Sequence, residues 1–290
     1  MSKSDEPQQL GSRSAAFFAE LHEDCLPRID QATVSTIGVQ DDEIRHDRTG
    51  VLYEIAGHHF ILTAAHDMRG IVSHNIPLFV SVNTPDVLPL PLADARFHST
   101  EEDNRDVSAI WLPPDVAAEI SKHKDFLHHN QINLATAESK GPFIFFGYPM
   151  DWSANLISEN TLLSTALAFA GHPYGGDRHP TANYKPDVHM VLQFSRDAIR
   201  TRDGTQERLP PPKGISGCGI WQVGDINYET KSLHARSAET VTLIGIQHRW
   251  FPDYSYIQGT HIRHVLGLVL SNYPQLKRSM SIVYPSQKAN

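Results

Sequence analysis

Cysteine is scarce in this chain. Cys25 and Cys218 are the only two among 290 residues. At most one disulfide can form, which excludes the cross-linked scaffolds of small secreted domains. Long apolar runs are also missing, and no stretch approaches the roughly 18 consecutive apolar residues of a membrane-spanning helix. The opening MSKSDEPQQL is polar and acidic, without the apolar centre of a secretory signal. These absences predict an intracellular, cytoplasmic protein with reduced thiols and no membrane partner. Positive charge is in deficit, with Lys+Arg 25 against Asp+Glu 33 and a formal net charge of −8. No basic block stands out, which argues against a nucleic-acid partner. No CxxC or HExxH spacing and no Gly-rich phosphate loop before a helix occurs, so no metal and no cofactor is expected. The pairs His58-His59 and His128-His129 are adjacent in sequence, and neighbours in a strand face opposite sides, a poor arrangement for one ion.

The composition, 40% hydrophobic and 20% charged, is that of an ordinary globular protein. The length suggests about two domains. Residues 1–31 read as a polar tail followed by a short amphipathic helix over Ser14 to Leu26. Short β-type runs then follow at 34–39, 51–56, 59–65, 78–82, 107–112, 143–148, 161–169, 188–194, 219–224 and 240–247. Gly, Pro, Asp and Asn clusters separate them. Many short strands with turn signals predict an all-β chain of barrels or sandwiches with minor helices. We divide it into a first β-unit over 32–135, a second over 136–272 closed by a helix at Ile262 to Leu270, and a tail over 273–290. The polar stretch from Asp115 to Lys140 would bridge the two units. The segments 171–187 and 199–213 are long and rich in Gly, Pro and charge, read either as binding loops or as plain surface insertions.

Ser216 lies in Lys213-Gly214-Ile215-Ser216-Gly217-Cys218-Gly219. A nucleophilic serine needs an exposed hydroxyl on a tight turn with free backbone N–H groups nearby, and glycines permit both. The elbow of α/β-hydrolases reads G-x-S-x-G and leads into a helix. Here Cys218 occupies the last position and the β-type run GIWQVG follows. His66 ends the apolar run HHFILTAAH, where Ala64 and Ala65 leave room for an imidazole. Asp106 opens the apolar run Val107-Ser108-Ala109-Ile110-Trp111-Leu112, which would bury its carboxylate. Glu101, Glu102 and Asp103 just upstream are competitors for that role.

Thr63-Ala64-Ala65-His66, Asp106 with its strand, and Gly214-Ile215-Ser216-Gly217 resemble, in that order, the histidine, aspartate and nucleophile motifs of the chymotrypsin-fold (trypsin-like) serine peptidases. Phe146-Gly147-Tyr148-Pro149 and Leu243-Ile244-Gly245-Ile246 are similar to second-barrel strands of that family, so the resemblance covers about 32–272. It implies two six-stranded antiparallel β-barrels and a catalytic triad of His66, Asp106 and Ser216. It also implies an oxyanion hole from the N–H groups of Gly214 and Ser216, and a polypeptide substrate. Ile215 stands where zymogen-activated members carry an Asp, so activation by a new N-terminus is not expected. The pocket floor falls near Pro210, where no Asp supports a preference for Lys or Arg. Gln247, His248 and Arg249 would border the pocket, a cationic edge suited to acidic side chains. Cys218 reads either as a small buried apolar residue or as a free thiol near the site. The expected activity is that of a serine endopeptidase. The alternatives are a pseudoprotease or peptide-binding module activated by a protein partner, and an esterase or amidase on the same fold.

Overall fold

The apolar, β-branched runs of the sequence form strands, and the periodicity of each run shows how many of its faces are covered. The computed structural model describes residues 25–40, 43–66, 68–84, 87–100, 104–134, 142–150, 166–174, 183–194, 199–200, 206–207, 211–227, 232–235 and 241–279. The first unit comprises β1 (Thr33–Gln40), β2 (Glu43–Ile55), β3 (His58–Ala64), β4 (Leu78–Ser81), β5 (Leu90–Pro91), β6 (Arg96–Thr100) and β7 (Val107–Trp111). The rest are β8 (Phe143–Gly147), β9 (Leu167–Pro173), β10 (His189–Gln193), β11 (Ile199–Arg200), β12 (Gln206–Glu207), β13 (Gly219–Gln222), β14 (Gly224–Asn227), β15 (Ser232–Ala235), β16 (Thr242–Phe251) and β17 (Tyr256–His261). Short helices accompany them among the described residues, including α1 (Leu26–Gln31), α2 (Met68–Ser73), α3 (Pro114–Ile120) and α4 (Ile262–Asn272).

These strands build two antiparallel β units, the all-β architecture with minor helices expected from the sequence. The first unit is one sheet in the order β5-β4-β1-β2-β3-β7-β6. It has seven strands where six were expected, and its end strands β5 and β6 do not pair among the described residues. The extra strand is the two-residue β5, which ends at Pro91. Proline lacks the N–H that would carry the ladder further. The second unit is a closed six-stranded barrel, β10-β17-β16-β13-β8-β9. Two ribbons, β11-β12 and β14-β15, stand apart from both.

Burial falls into three clusters. One fills the first sheet around Leu52, Ile61, Val80 and Ile110. Another fills the second barrel around Phe145, Phe169, Ile220 and Ile257. The third joins the units, packing Tyr53, Phe60 and Leu62 of the first against Phe146, Trp221 and Leu243 of the second. Helix α4 completes this joint with Ile262, Val265, Leu266 and Val269. That i, i+3, i+4, i+7 spacing makes one apolar stripe. Each fully buried side chain of this kind contributes roughly 2–3 kcal/mol. The polar bridge is pinned at both ends: Leu127 exchanges backbone hydrogen bonds with Leu52 and Glu54, and Asn133 N–H donates to Leu243 of the second barrel.

The amphipathic helix read at Ser14 to Leu26 lies outside the described residues up to residue 24, as do 175–182 of the segment 171–187, 201–205 and 208–210 of the segment 199–213 (Pro210 included), and the tail beyond 279. Both cysteines are buried free thiols. Among the described residues no helix is long and apolar enough to cross a membrane.

Candidate active site

Strand register brings the histidine to the aspartate. In the β3–β7 ladder Ala64 pairs with Val107, so the residues just past each end, Ala65–His66 and Asp106, meet at one rim. Asp106 sits at φ 47° and Asn104 at φ 58°, the left-handed region that Asp and Asn tolerate best. The second barrel holds this turn. Thr260 donates its hydroxyl to the Arg105 carbonyl. His189 Nε2 lies 3.0 Å from the Asn104 carbonyl, while its Nδ1 accepts from Lys185 N–H at 3.1 Å. An imidazole that accepts at Nδ1 carries its proton on Nε2, so His189 donates to Asn104. His189 and Thr260 are directly paired between β10 and β17.

The Asp106 carboxylate is well supplied with donors. Its Oδ1 accepts from His66 N–H at 2.7 Å and Ala65 N–H at 3.2 Å. Its Oδ2 faces His66 Nδ1 at 2.9 Å. Burial alone would raise its pKa, but the His66 hydrogen bonds and the fields of His248 and His66 together hold it below the ordinary Asp value. Asp106 is therefore ionised at neutral pH, and His66 places its Nδ1 proton toward it. The lone pair on His66 Nε2 then points to Ser216 Oγ, 3.3 Å away.

The turn around Ser216 is fixed from three sides. Gly214 and Gly217 have φ 88° and 89°, conformations for which glycine has no steric penalty. At Gly217 a Cβ would lie 2.0 Å from Thr63 Oγ1 and 2.2 Å from the Thr49 carbonyl, so the first sheet closes against it. Thr49 N–H donates to the Ser216 carbonyl at 3.2 Å, and its hydroxyl donates to the Gly214 carbonyl at 3.3 Å while accepting from Tyr148 N–H at 2.9 Å. Gly217 N–H donates to the Gln247 carbonyl at 2.8 Å. Ile215 points into the second-barrel core. Among the described residues the N–H groups of Gly214 and Ser216 make no hydrogen bond.

An open cleft of about 450 Å³ lies beside Ser216 and His66. Arg48, Lys213, Gly214 and the stretch Gln247, His248 and Arg249 line it. Only Arg249 of that stretch projects into solvent. Gln247 and His248 are buried. With its amide nitrogen toward Ile215, Gln247 donates to the Ile215 carbonyl and accepts from Arg249 N–H, both at 3.2 Å. His248 turns toward Asp106, its Nδ1 3.5 Å from Oδ2. The Cys218 thiol is fully buried, and desolvation drives its pKa far above the thiol range, so it packs as an apolar group rather than reacting.

The structure thus brings His66, Asp106, Ser216 and Gly214 together. Glu101, Glu102 and Asp103 lie outside the described residues. Thr49 and His189 were not foreseen, since neither carries a local signal beyond its place in a strand. Among the described residues no group of three or more His, Cys, Asp or Glu side chains is arranged to hold a metal ion.

No family model matches the chain, and no curated protein matches it. Solved structures do. A serine endoprotease from Yersinia pestis matches with TM-score 0.47 and 14% identity, over 87% of this chain and 65% of that one. The Rv3671c protein of M. tuberculosis H37Rv, in an inactive form, matches with TM-score 0.45 and 12% identity, over 91% and 92%. The tobacco vein mottling virus protease matches with TM-score 0.41 and 9% identity, over 81% and 78%. Likeness this distant leaves the chemistry to be read from this chain's own side chains.

Proposed function

We propose that this chain is a serine endopeptidase that cleaves polypeptides through an acyl-enzyme. The observation that carries the reading is the unbroken relay, Asp106 Oδ2 to His66 Nδ1 at 2.9 Å and His66 Nε2 to Ser216 Oγ at 3.3 Å. A separation slightly long for a hydrogen bond is usual before substrate binds. Ser216 Oγ attacks the scissile carbonyl as His66 takes its proton, and His66 then returns that proton to the leaving amine. Asp106 holds His66 in the useful tautomer and stabilises the imidazolium. The free N–H groups of Gly214 and Ser216 receive the oxyanion, each donor contributing about 3–4 kcal/mol in the transition state.

Activation by a new N-terminus is not needed in this reading. Burial of Ile215 and the bonds from Thr49 and Gln247 already order the turn that such a step would order. The same order counts against a module that waits for a partner to assemble its site. Two buried free thiols suit a reducing, intracellular setting. The test is labelling by a fluorophosphonate probe, followed by profiling on a peptide library. The wild type labels and cleaves, and Ser216→Ala does neither. A folded wild type that neither labels nor cleaves refutes the proposal.

A further inference from the structure

His248 lines the cleft, as expected of the pocket edge, and its ring also turns toward Asp106. Strand β16 carries a bulge here. Gln247 pairs with Gly259 and the next pair is Arg249 with Gln258, which leaves His248 as the extra residue. A bulge re-aims the side chain at the inserted position. This one turns the His248 ring under Asp106, with 4% of the residue exposed. The ring's Nδ1 lies 3.5 Å from Asp106 Oδ2, the oxygen that also faces His66 Nδ1. Among the described residues neither nitrogen of the His248 ring has a hydrogen-bond partner. The groups around it are Asp106 and His66 from the first sheet, His189 on β10 with ring centroids 6.0 Å apart, and the adjoining Arg249 on β16.

We propose that His248 is a positioning residue for the catalytic aspartate, neutral and protonated on Nδ1, donating that N–H to Asp106 Oδ2. Desolvation holds the imidazole neutral, its pKa pushed down to about 3 against the pull of Asp106. A neutral imidazole has one N–H and one lone pair. Turning the lone pair toward a carboxylate would set two electron-rich atoms against each other, while turning the N–H gives the charge-assisted hydrogen bond. Closing 3.5 Å to hydrogen-bond length needs only a small ring rotation. Asp106 then accepts from four donors: two backbone N–H groups on Oδ1 and two imidazole N–H groups on Oδ2. A carboxylate offers about four lone-pair sites, so its plane is locked, and the His66 ring is locked through it.

This inference rests on the hydrolase reading, and the experiment separates the two. Three variants are compared with the wild type for kcat, KM and fluorophosphonate labelling, each checked for cooperative unfolding. In His248→Phe the donor is gone. In His248→Asn the amide nitrogen reaches the place of Nδ1. In His248→Gln it overshoots toward the place of Nε2. The expected result is a drop of about tenfold or more in kcat for Phe and Gln with KM nearly unchanged, and recovery to within about threefold in Asn. A purely structural role would not rank Asn above Gln. In parallel, 15N-histidine NMR of the folded chain, in the wild type and in Ser216→Ala, reads the His248 tautomer without any turnover. An Nδ1–H tautomer supports the proposal. An Nε2–H tautomer, or a Phe variant as active as a labelled wild type, overturns it. A wild type that never labels defeats the hydrolase reading, and the tautomer still decides the contact.

Discussion

Burying a histidine in its neutral form makes stability depend on acid, and His248 lets this be isolated. Its folded pKa is pushed down to about 3 by desolvation, from an ordinary value of 6.5. In the unfolded chain the ring protonates as pH falls below 6.5, while the folded ring stays neutral until about 3. Protons therefore bind preferentially to the unfolded state, and folded stability falls as pH drops through that window. Between pH 7 and pH 5 the loss from one such group integrates to roughly 2 kcal/mol. Asp106 does not confuse the result. Its folded pKa lies below the ordinary value of 3.8, so its stabilisation is complete above that value and is lost only at lower pH. His261, pushed down to about 4 mainly by burial, contributes in the same direction. It does so equally in wild type and variant, so it cancels in the comparison. Urea unfolding at pH 7 and pH 5 is the assay, on wild type and His248→Asn. The wild type loses roughly 2 kcal/mol more than the variant over that interval. Equal losses in the two proteins would mean that His248 is hydrated or charged in the folded state, and the burial argument would be wrong.

Gly217→Ala puts a Cβ into the Thr49 carbonyl at φ 89° and lowers stability by about 2–4 kcal/mol in urea unfolding. Gly267→Ala, with nothing within 4 Å in helix α4, raises it by about 0.5–1 kcal/mol. Thr49→Val removes the acceptor of the buried Tyr148 N–H at Thr49 and the donor to the Gly214 carbonyl, costing about 1–3 kcal/mol in thermal unfolding. Arg249→Glu replaces a cation on the cleft wall beside Lys213. It lowers kcat/KM for peptides with acidic side chains about tenfold relative to neutral ones in a library assay, and the effect shrinks in high salt.

The groups of the proposed triad were legible because each announces itself locally. His66 follows two alanines at a strand end, Asp106 opens an apolar strand, and Ser216 sits between glycines. Their convergence follows from one adjacent pairing, β3 with β7, plus the closure of Gly217 onto Thr49 and Thr63. What supports them was not legible, for reasons that are physical. The bulge that turns His248 is a one-residue slip defined only against β17, and nothing in Gln247-His248-Arg249 distinguishes a bulge from a regular strand. His189 carries no signal either. Its role exists only because the second barrel presses β10 and β17 against a left-handed turn of the first unit. Punctuation residues misled in the same way. Of the run read at 161–169, residues 161–165 lie outside the described residues, and the described part continues as β9 (Leu167–Pro173) through Gly171. That glycine marks no turn. A Cβ there would lie 2.5 Å from Phe145 Cζ, so its absence makes room for the ring. A triad is written in short words along the chain, whereas the cage that holds it is written in contacts between strands far apart in sequence. Substitutions at Thr49, His189 and His248 should therefore damage the relay while leaving every motif intact.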